Sequence, residues 1–256
     1  MKVTVCELNG RKDALKNGWD RLVEEIQDKE SDLVILPEMP FSPWLMVTKE
    51  PDPKAWDDAV QIHEEAQTHL AQLGNATVLG TRPVSEGGKR YNRAFTWSAE
   101  TGYTGVRDKT YLPDEEEVWE ASWYHRGPVD FPSIQIGPAR VGVQICTEIW
   151  FGEVSRQYGK QGAHIIASPR ATGLESLDKW LACGRVLSIM SGAWNCSSNR
   201  VNRVGEFPNF GGMGWIVNPD GQVCATTSEA QPAVTLDLDL SLAESAKKTY
   251  PRYVEE

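Results

Sequence analysis

Apolar runs of strand length alternate with longer stretches of helical periodicity along this chain, and that order restricts it to a layered α/β protein. Residues 2–8 alternate and read as a first strand, and Leu15, Trp19, Leu22, Val23 and Ile26 predict a helix over 13–30. A strand over 33–37 stopped by Pro37, a helix over 53–73 between Pro53 and Gly74, and a strand over 76–81 follow. Gly87-Gly88 and Gly102 mark turns beside strands at 91–97 and 103–108, so this part pairs antiparallel. The order then repeats: strands 132–136 and 139–145, a helix over 151–160, a strand at 163–168 and a helix over 176–191. Strands at 193–197, 214–217 and 233–238 complete it. Two rounds of strand and helix, each trailed by hairpin strands, predict mixed sheets in one domain over residues 1–256, with no linker dividing it.

Three of these strands run into reactive side chains. Val-Gly-Val-Gln-Ile-Cys-Thr-Glu (141–148) stops at a thiol, Asp-Leu-Val-Ile-Leu-Pro-Glu (32–38) at a carboxylate, and Gly-Tyr-Thr-Gly-Val-Arg-Asp-Lys (102–109) at an amine. Open α/β sheets collect their ligands beyond the carboxyl ends of their strands, so all three positions suit chemistry. Singly, each has a plainer reading: a packed thiol, a carboxylate closing a strand, a surface lysine.

Charge and composition remove several classes. With 36 acidic against 26 basic residues, a net charge of −10 and no dense basic cluster, the chain is not built for nucleic acid. Five scattered cysteines (6, 146, 183, 196 and 224), no leader pattern and no apolar stretch of membrane-spanning length predict reduced thiols in the cytoplasm and no membrane partner. His63, His69, His125 and His164 lack zinc-ligand spacing. Gly211-Gly-Met-Gly is not followed by a helix as a phosphate or dinucleotide loop would be, and reads as a turn. No Gly-x-Ser-x-Gly elbow is present.

Leu-Pro-Glu (36–38), Asp-Lys-Thr-Tyr-Leu-Pro (108–113) and Gln-Ile-Cys-Thr-Glu (144–148) resemble, in order and approximate spacing, segments of the nitrilase superfamily, the carbon-nitrogen hydrolases. The likeness runs from the first strand to about residue 240. It implies a four-layer-forming α-β-β-α sandwich of two mixed sheets, which meet in each subunit and pair again across subunits. A homodimer or larger assembly is therefore expected, with residues 241–256 as a tail engaged in oligomer contacts. It further implies cleavage of a small linear amide or ureido (N-carbamoyl) substrate through a cysteine thioester, releasing ammonia. Glu38 would be the general base, Lys109 the charge stabiliser and Cys146 the nucleophile, with the Thr147 backbone N–H as an oxyanion donor and no cofactor or metal.

Amidases of this family commonly carry a second glutamate between lysine and cysteine. Glu120, in Val-Trp-Glu-Ala-Ser-Trp-Tyr-His-Arg-Gly (118–127), fits that part, with Glu115, Glu116 and Glu117 as competitors. Tyr111 stands where many relatives have histidine, and Ile149 and Trp150 stand where relatives acting on N-carbamoyl-D-amino acids place arginines. Arg170, after the strand at 163–168, would either bind a substrate carboxylate or make an internal ion pair or dimer contact. Of the ten tryptophans, Trp44, Trp119, Trp123, Trp150 and Trp194 follow or flank the candidate strands. Phe41, Trp44, Tyr111, Trp150 and Arg170 are thus the expected substrate-binding set. Nitrile hydrolysis through a thioimidate, acyl transfer, and an inactive binding or assembly protein on the same scaffold are the alternatives. The chain length, which leaves little C-terminal material, leans toward amides.

Overall fold

The computed structural model describes residues 1–202 and 205–254. The first round comprises β1 (Lys2–Leu8), α1 (Lys12–Lys29), β2 (Leu33–Ile35), α2 (Pro53–Glu65), α3 (Gln67–Leu70), β3 (Thr77–Glu86), β4 (Lys89–Ser98) and β5 (Gly102–Asp108). A small hairpin, β6 (Asp114–Glu115) and β7 (Val118–Trp119), leads into the one-turn helix α4 (Glu120–Trp123). The second round comprises β8 (Ile134–Ile136), β9 (Ala139–Val143), α5 (Gly152–Lys160), β10 (Ile165–Arg170), α6 (Leu177–Ser191), β11 (Trp194–Arg200), β12 (Trp215–Val217) and β13 (Val223–Thr226). Last come β14 (Ala233–Asp237) and α7 (Leu240–Ala246).

The strands form two sheets with one pattern. The first runs β14-β1-β2-β3-β4-β5, with β1, β2 and β3 parallel and the other pairs antiparallel. The second runs β8-β9-β10-β11-β12-β13, with β9, β10 and β11 parallel and the rest antiparallel. They join where the ends of β1 and β11 pair in parallel, Glu7 opposite Asn199 and Leu8 opposite Arg200.

Side-chain alternation sorts the layers. Val3, Val5, Leu33 and Ile35 face Val141, Val143, Ile165 and Ala167 in a core between the sheets. The alternate residues Cys6, Leu8, Val34 and Leu36 pack outward against Trp19, Leu22 and Ile26 of α1. On the opposite outer face Ile166 meets Val154 and Tyr158 of α5. Helix, sheet, sheet and helix therefore stack as the sandwich expected, each fully buried aliphatic contributing roughly 1.5–3 kcal/mol.

Local chemistry sets most boundaries. Asp52 caps α2, accepting from Lys54 N at 2.9 Å and Ala55 N at 3.2 Å, with Pro53 in the first turn. The single helix predicted over 53–73 instead breaks at Ala66 into α2, α3 and a tighter turn at Ala71–Leu73, which bring Leu70 and Leu73 onto the α1 core. The strand predicted over 76–81 extends to Glu86, because Gly87 and Gly88, both at positive φ, close a two-residue hairpin that pairs Glu86 with Lys89. The hairpin β6–β7 and the elements α4, β13 and α7 have no counterpart in the predicted order. In the tail, Ala243 and Ala246 of α7 are buried against the chain itself, while positions 255–256 of the expected 241–256 segment lie outside the described residues. Among the described residues, no helix is long and apolar enough to cross a membrane.

Candidate active site

Glu38, Lys109 and Cys146 follow the ends of β2, β5 and β9, and all three are buried. Met39 takes φ 43° just past Glu38, turning the chain sharply away from the sheet, and its amide donates to Thr81 Oγ1 at 3.0 Å. Arg200, itself buried, holds the following loop by donating to the carbonyl oxygens of Glu38 (3.4 Å) and Ser42 (2.7 Å). The Lys109 amide donates to Asn92 O at 2.8 Å and its carbonyl accepts from Gly127 N at 2.8 Å. Only glycine fits at 127, since a Cβ there would lie 2.4 Å from Asp108 O.

Cys146 has a φ of 47°, a left-handed conformation that is costly for a side chain with a Cβ. It opens a 3-10 turn, Cys146–Trp150, and Glu148 of that turn fixes the strain in place. The buried Glu148 carboxylate accepts from Ile145 N (2.8 Å), Thr110 N (2.7 Å) and, in a fork, Arg107 Nη1 (2.6 Å) and Nη2 (2.8 Å). The turn bearing the thiol is thus bound to the strand that delivers Lys109. Thr147 follows the thiol in the same turn.

Lys109 Nζ lies 2.8 Å from Glu38 Oε1 and 2.6 Å from Glu120 Oε2, so both carboxylates grip one ammonium. Glu120 is buried in α4, whereas its competitors Glu115, Glu116 and Glu117 are exposed. Tyr124, one turn on, donates its hydroxyl to Glu120 Oε2. Asn92, buried on β4, donates Nδ2 to Glu38 Oε1 at 2.7 Å and lies 3.5 Å from the Tyr124 hydroxyl. Glu38 Oε2 and Asn92 Oδ1 are buried without a partner.

Burial sets the proton affinities. It raises Glu120 to about 7, against the pull of Lys109 and with the push of Glu38. Burial opposes the Lys109 ammonium, yet Glu120 and Glu38 outweigh it and hold the amine above its ordinary value. The Cys146 thiol is pushed well above its usual range, first by burial and then by the charge of Glu38, with Lys109 pulling the other way. The resting sulfur is therefore a neutral thiol that needs a base during attack.

The expected substrate-binding set divides. Trp44 packs with Met39, Trp123, Tyr124, Ala171 and Phe210, a wall continuous with the Glu120 partner and with the residue whose carbonyl lies 3.9 Å from Cys146 Sγ. Phe41 turns into the α1 core between Trp19 and His63, both at 5.5 Å. Tyr111 stacks on Phe151 at 3.8 Å, on the α5 side. Trp150 is 48% exposed and leans on Trp180 at 5.0 Å. Arg170 is wholly buried: Nε donates to Ser197 Oγ (2.7 Å), Nη1 to Thr172 Oγ1 (2.8 Å) and Nη2 to Met213 O (2.7 Å), and its guanidinium carbon lies over the Trp215 ring, 3.7 Å from the ring centre. None of these partners is a carboxylate, and burial pushes the guanidinium down to about 9.

Asn92, Tyr124, Arg107 and Arg200 were not singled out from the sequence. Asn92 had a signal: it shares a strand face with Ala94, an inter-sheet core residue, so a polar group stands where an apolar one is due. Among the described residues no three His, Cys, Asp or Glu side chains converge as a metal site would require.

Comparison with known proteins bears on this geometry. N-carbamoylputrescine amidase of Arabidopsis thaliana is 28% identical over 178 residues, 62% of this chain and 58% of that protein. The chain thus spans just over half the length of that relative. The chloroplastic omega-amidase of Arabidopsis thaliana is 23% identical over 271 residues, 97% of this chain and 70% of that protein. A carbon-nitrogen hydrolase structure from Helicobacter pylori G27 shares the fold with a TM-score of 0.87 at 20% identity, covering 99% of this chain and 94% of that one. The sequence pattern described as Carbon-nitrogen hydrolase extends over residues 2–248, and the chain belongs to that family.

Proposed function

We propose that this chain is a cysteine-dependent hydrolase of a small primary amide or N-carbamoyl compound. One observation carries the reading: Glu38 Oε1 receives both Lys109 and Asn92, while Oε2 is buried with no donor. A buried acceptor left empty is costly unless function uses it, and a base needs such an oxygen. The names of two relatives, N-carbamoylputrescine amidase and omega-amidase, agree with C–N cleavage.

In this mechanism Cys146 Sγ attacks the carbonyl carbon as its proton passes to Glu38 Oε2. Lys109 Nζ and the Thr147 N–H stabilise the charge that develops on the carbonyl oxygen. Glu38 then gives the proton to the leaving nitrogen, the C–N bond breaks and ammonia departs, leaving a thioester. Water loses a proton to Glu38 and attacks that thioester; the C–S bond breaks and the proton returns to sulfur. Glu120, with Tyr124, keeps Lys109 aimed.

Amides are favoured over nitriles by the second empty acceptor, Asn92 Oδ1. An NH2 group brings two donors to a site with two unpaired acceptors, whereas a nitrile brings none. Ammonia release from a panel of primary amides, ureido compounds and nitriles tests the proposal. Turnover confined to nitriles would reverse the assignment, and turnover by Cys146→Ala would end it.

A further inference from the structure

We propose that Asn92 is a positioning residue that selects Oε2 of Glu38 as the working oxygen of the base. The inference rests on the proposed role of Glu38. A carboxylate oxygen only accepts, so the Asn92 atom 2.7 Å from Oε1 is its amide nitrogen. Lys109 Nζ, at 2.8 Å, occupies the same oxygen. Two donors on one oxygen fix the plane of the carboxylate and leave the other oxygen bare.

Lysine alone does not suffice for this. Its ammonium is shared with Glu120 at 2.6 Å, and an ammonium is a point charge that either Glu38 oxygen satisfies equally. Asn92 is the directional member. It sits on β4, where pairing with both β3 and β5 leaves little freedom, and its own carbonyl holds the Lys109 amide. One residue therefore positions the amine through its main chain and the carboxylate through its side chain. The groups around Glu38 are Lys109, Asn92, Cys146, Glu120, Tyr124 and Arg200, the last touching only its main-chain carbonyl.

The test uses iodoacetamide alkylation of Cys146, followed by peptide mass mapping across pH 4–9, with no need to know the substrate. Wild-type protein, Glu38→Gln and Asn92→Leu are compared, and Asn92→Ala replaces the leucine variant if that one fails to fold by circular dichroism. The Asn92 variant is expected to be alkylated about tenfold more slowly than wild type, and the same substitution in the Glu38→Gln background should slow alkylation no further, since Asn92 acts through the carboxylate. A rate equal to wild type while Glu38→Gln is slowed, or an equal slowing in both backgrounds, overturns the role of Asn92 alone. A Glu38→Gln protein alkylated like wild type overturns the base assignment, and this inference with it.

Discussion

Arg107 and Glu148 meet in a buried two-pronged ion pair, 2.6 and 2.8 Å, that ties the strand leading to Lys109 to the turn bearing Cys146. Glu148 also accepts two main-chain amides, so the pair organises the nucleophile without touching the reacting atoms. Removing one partner strands the other as a buried charge. Glu148→Ala should cost about 3–5 kcal/mol in urea unfolding, while the apolar double variant Arg107→Met, Glu148→Leu should recover part of that stability and none of the geometry. A Glu148→Ala protein as stable as wild type would contradict this account of the turn.

Glu120 should make stability depend on pH in an unusual direction. Its folded value, raised by burial to about 7, exceeds the ordinary 4.5. The contribution is therefore full below about 4.5 and is lost as pH rises through about 7, at up to roughly 1.4 kcal/mol per unit. Glu120→Gln should flatten that fall and also abolish turnover by freeing Lys109. Unfolding curves at half-unit steps measure the slope, and an unchanged slope would remove Glu120 as its source.

His63 acts with the opposite sign. It is buried, its Nδ1 bonded to Ala59 O at 2.8 Å, and burial lowers it to about 3. The unfolded chain then binds the extra proton between about 3 and 6.5, so stability declines as pH falls through that window. The two effects oppose each other from about 4.5 to 6.5, and only single variants separate them. His63→Leu should flatten the acid side, and a variant with the wild-type acid slope would contradict a neutral buried imidazole.

Arg170 was expected either to clamp a substrate carboxylate or to make an internal ion pair or dimer contact. With its three nitrogens engaged by Ser197, Thr172 and Met213, Arg170→Met should lower kcat/KM about equally for neutral and carboxylated amides. A selective rise in KM for the carboxylated compounds would restore the clamp.

Much of this architecture was legible because its periods are strong. The alternation of β1 and the continuous apolar run of β2 reappear as a sheet buried on both faces, and the helical spacing of Trp19, Leu22 and Ile26 as the side of α1 that packs on it. What escaped was short or set by tertiary contact: β6, β7 and α4 have too few residues for a period, and Glu120 was reached through a family likeness alone. Phe41 packs in the α1 core, a placement that the sequence does not spell out because Met39, two residues earlier, takes a positive φ. Asn92 was legible as a polar residue on an apolar face, yet its partner Glu38 lies 54 positions away and only pairing of the strands brings them together.

The central claim is a covalent acyl intermediate on Cys146, formed as Glu38 takes the thiol proton. Acid-quenched intact mass during turnover of the best amide of the panel measures it directly. The account predicts an added acyl mass that maps to Cys146, absent in Cys146→Ala, which should fold and release no ammonia. Steady turnover with no adduct, and undiminished in Cys146→Ala, would contradict it.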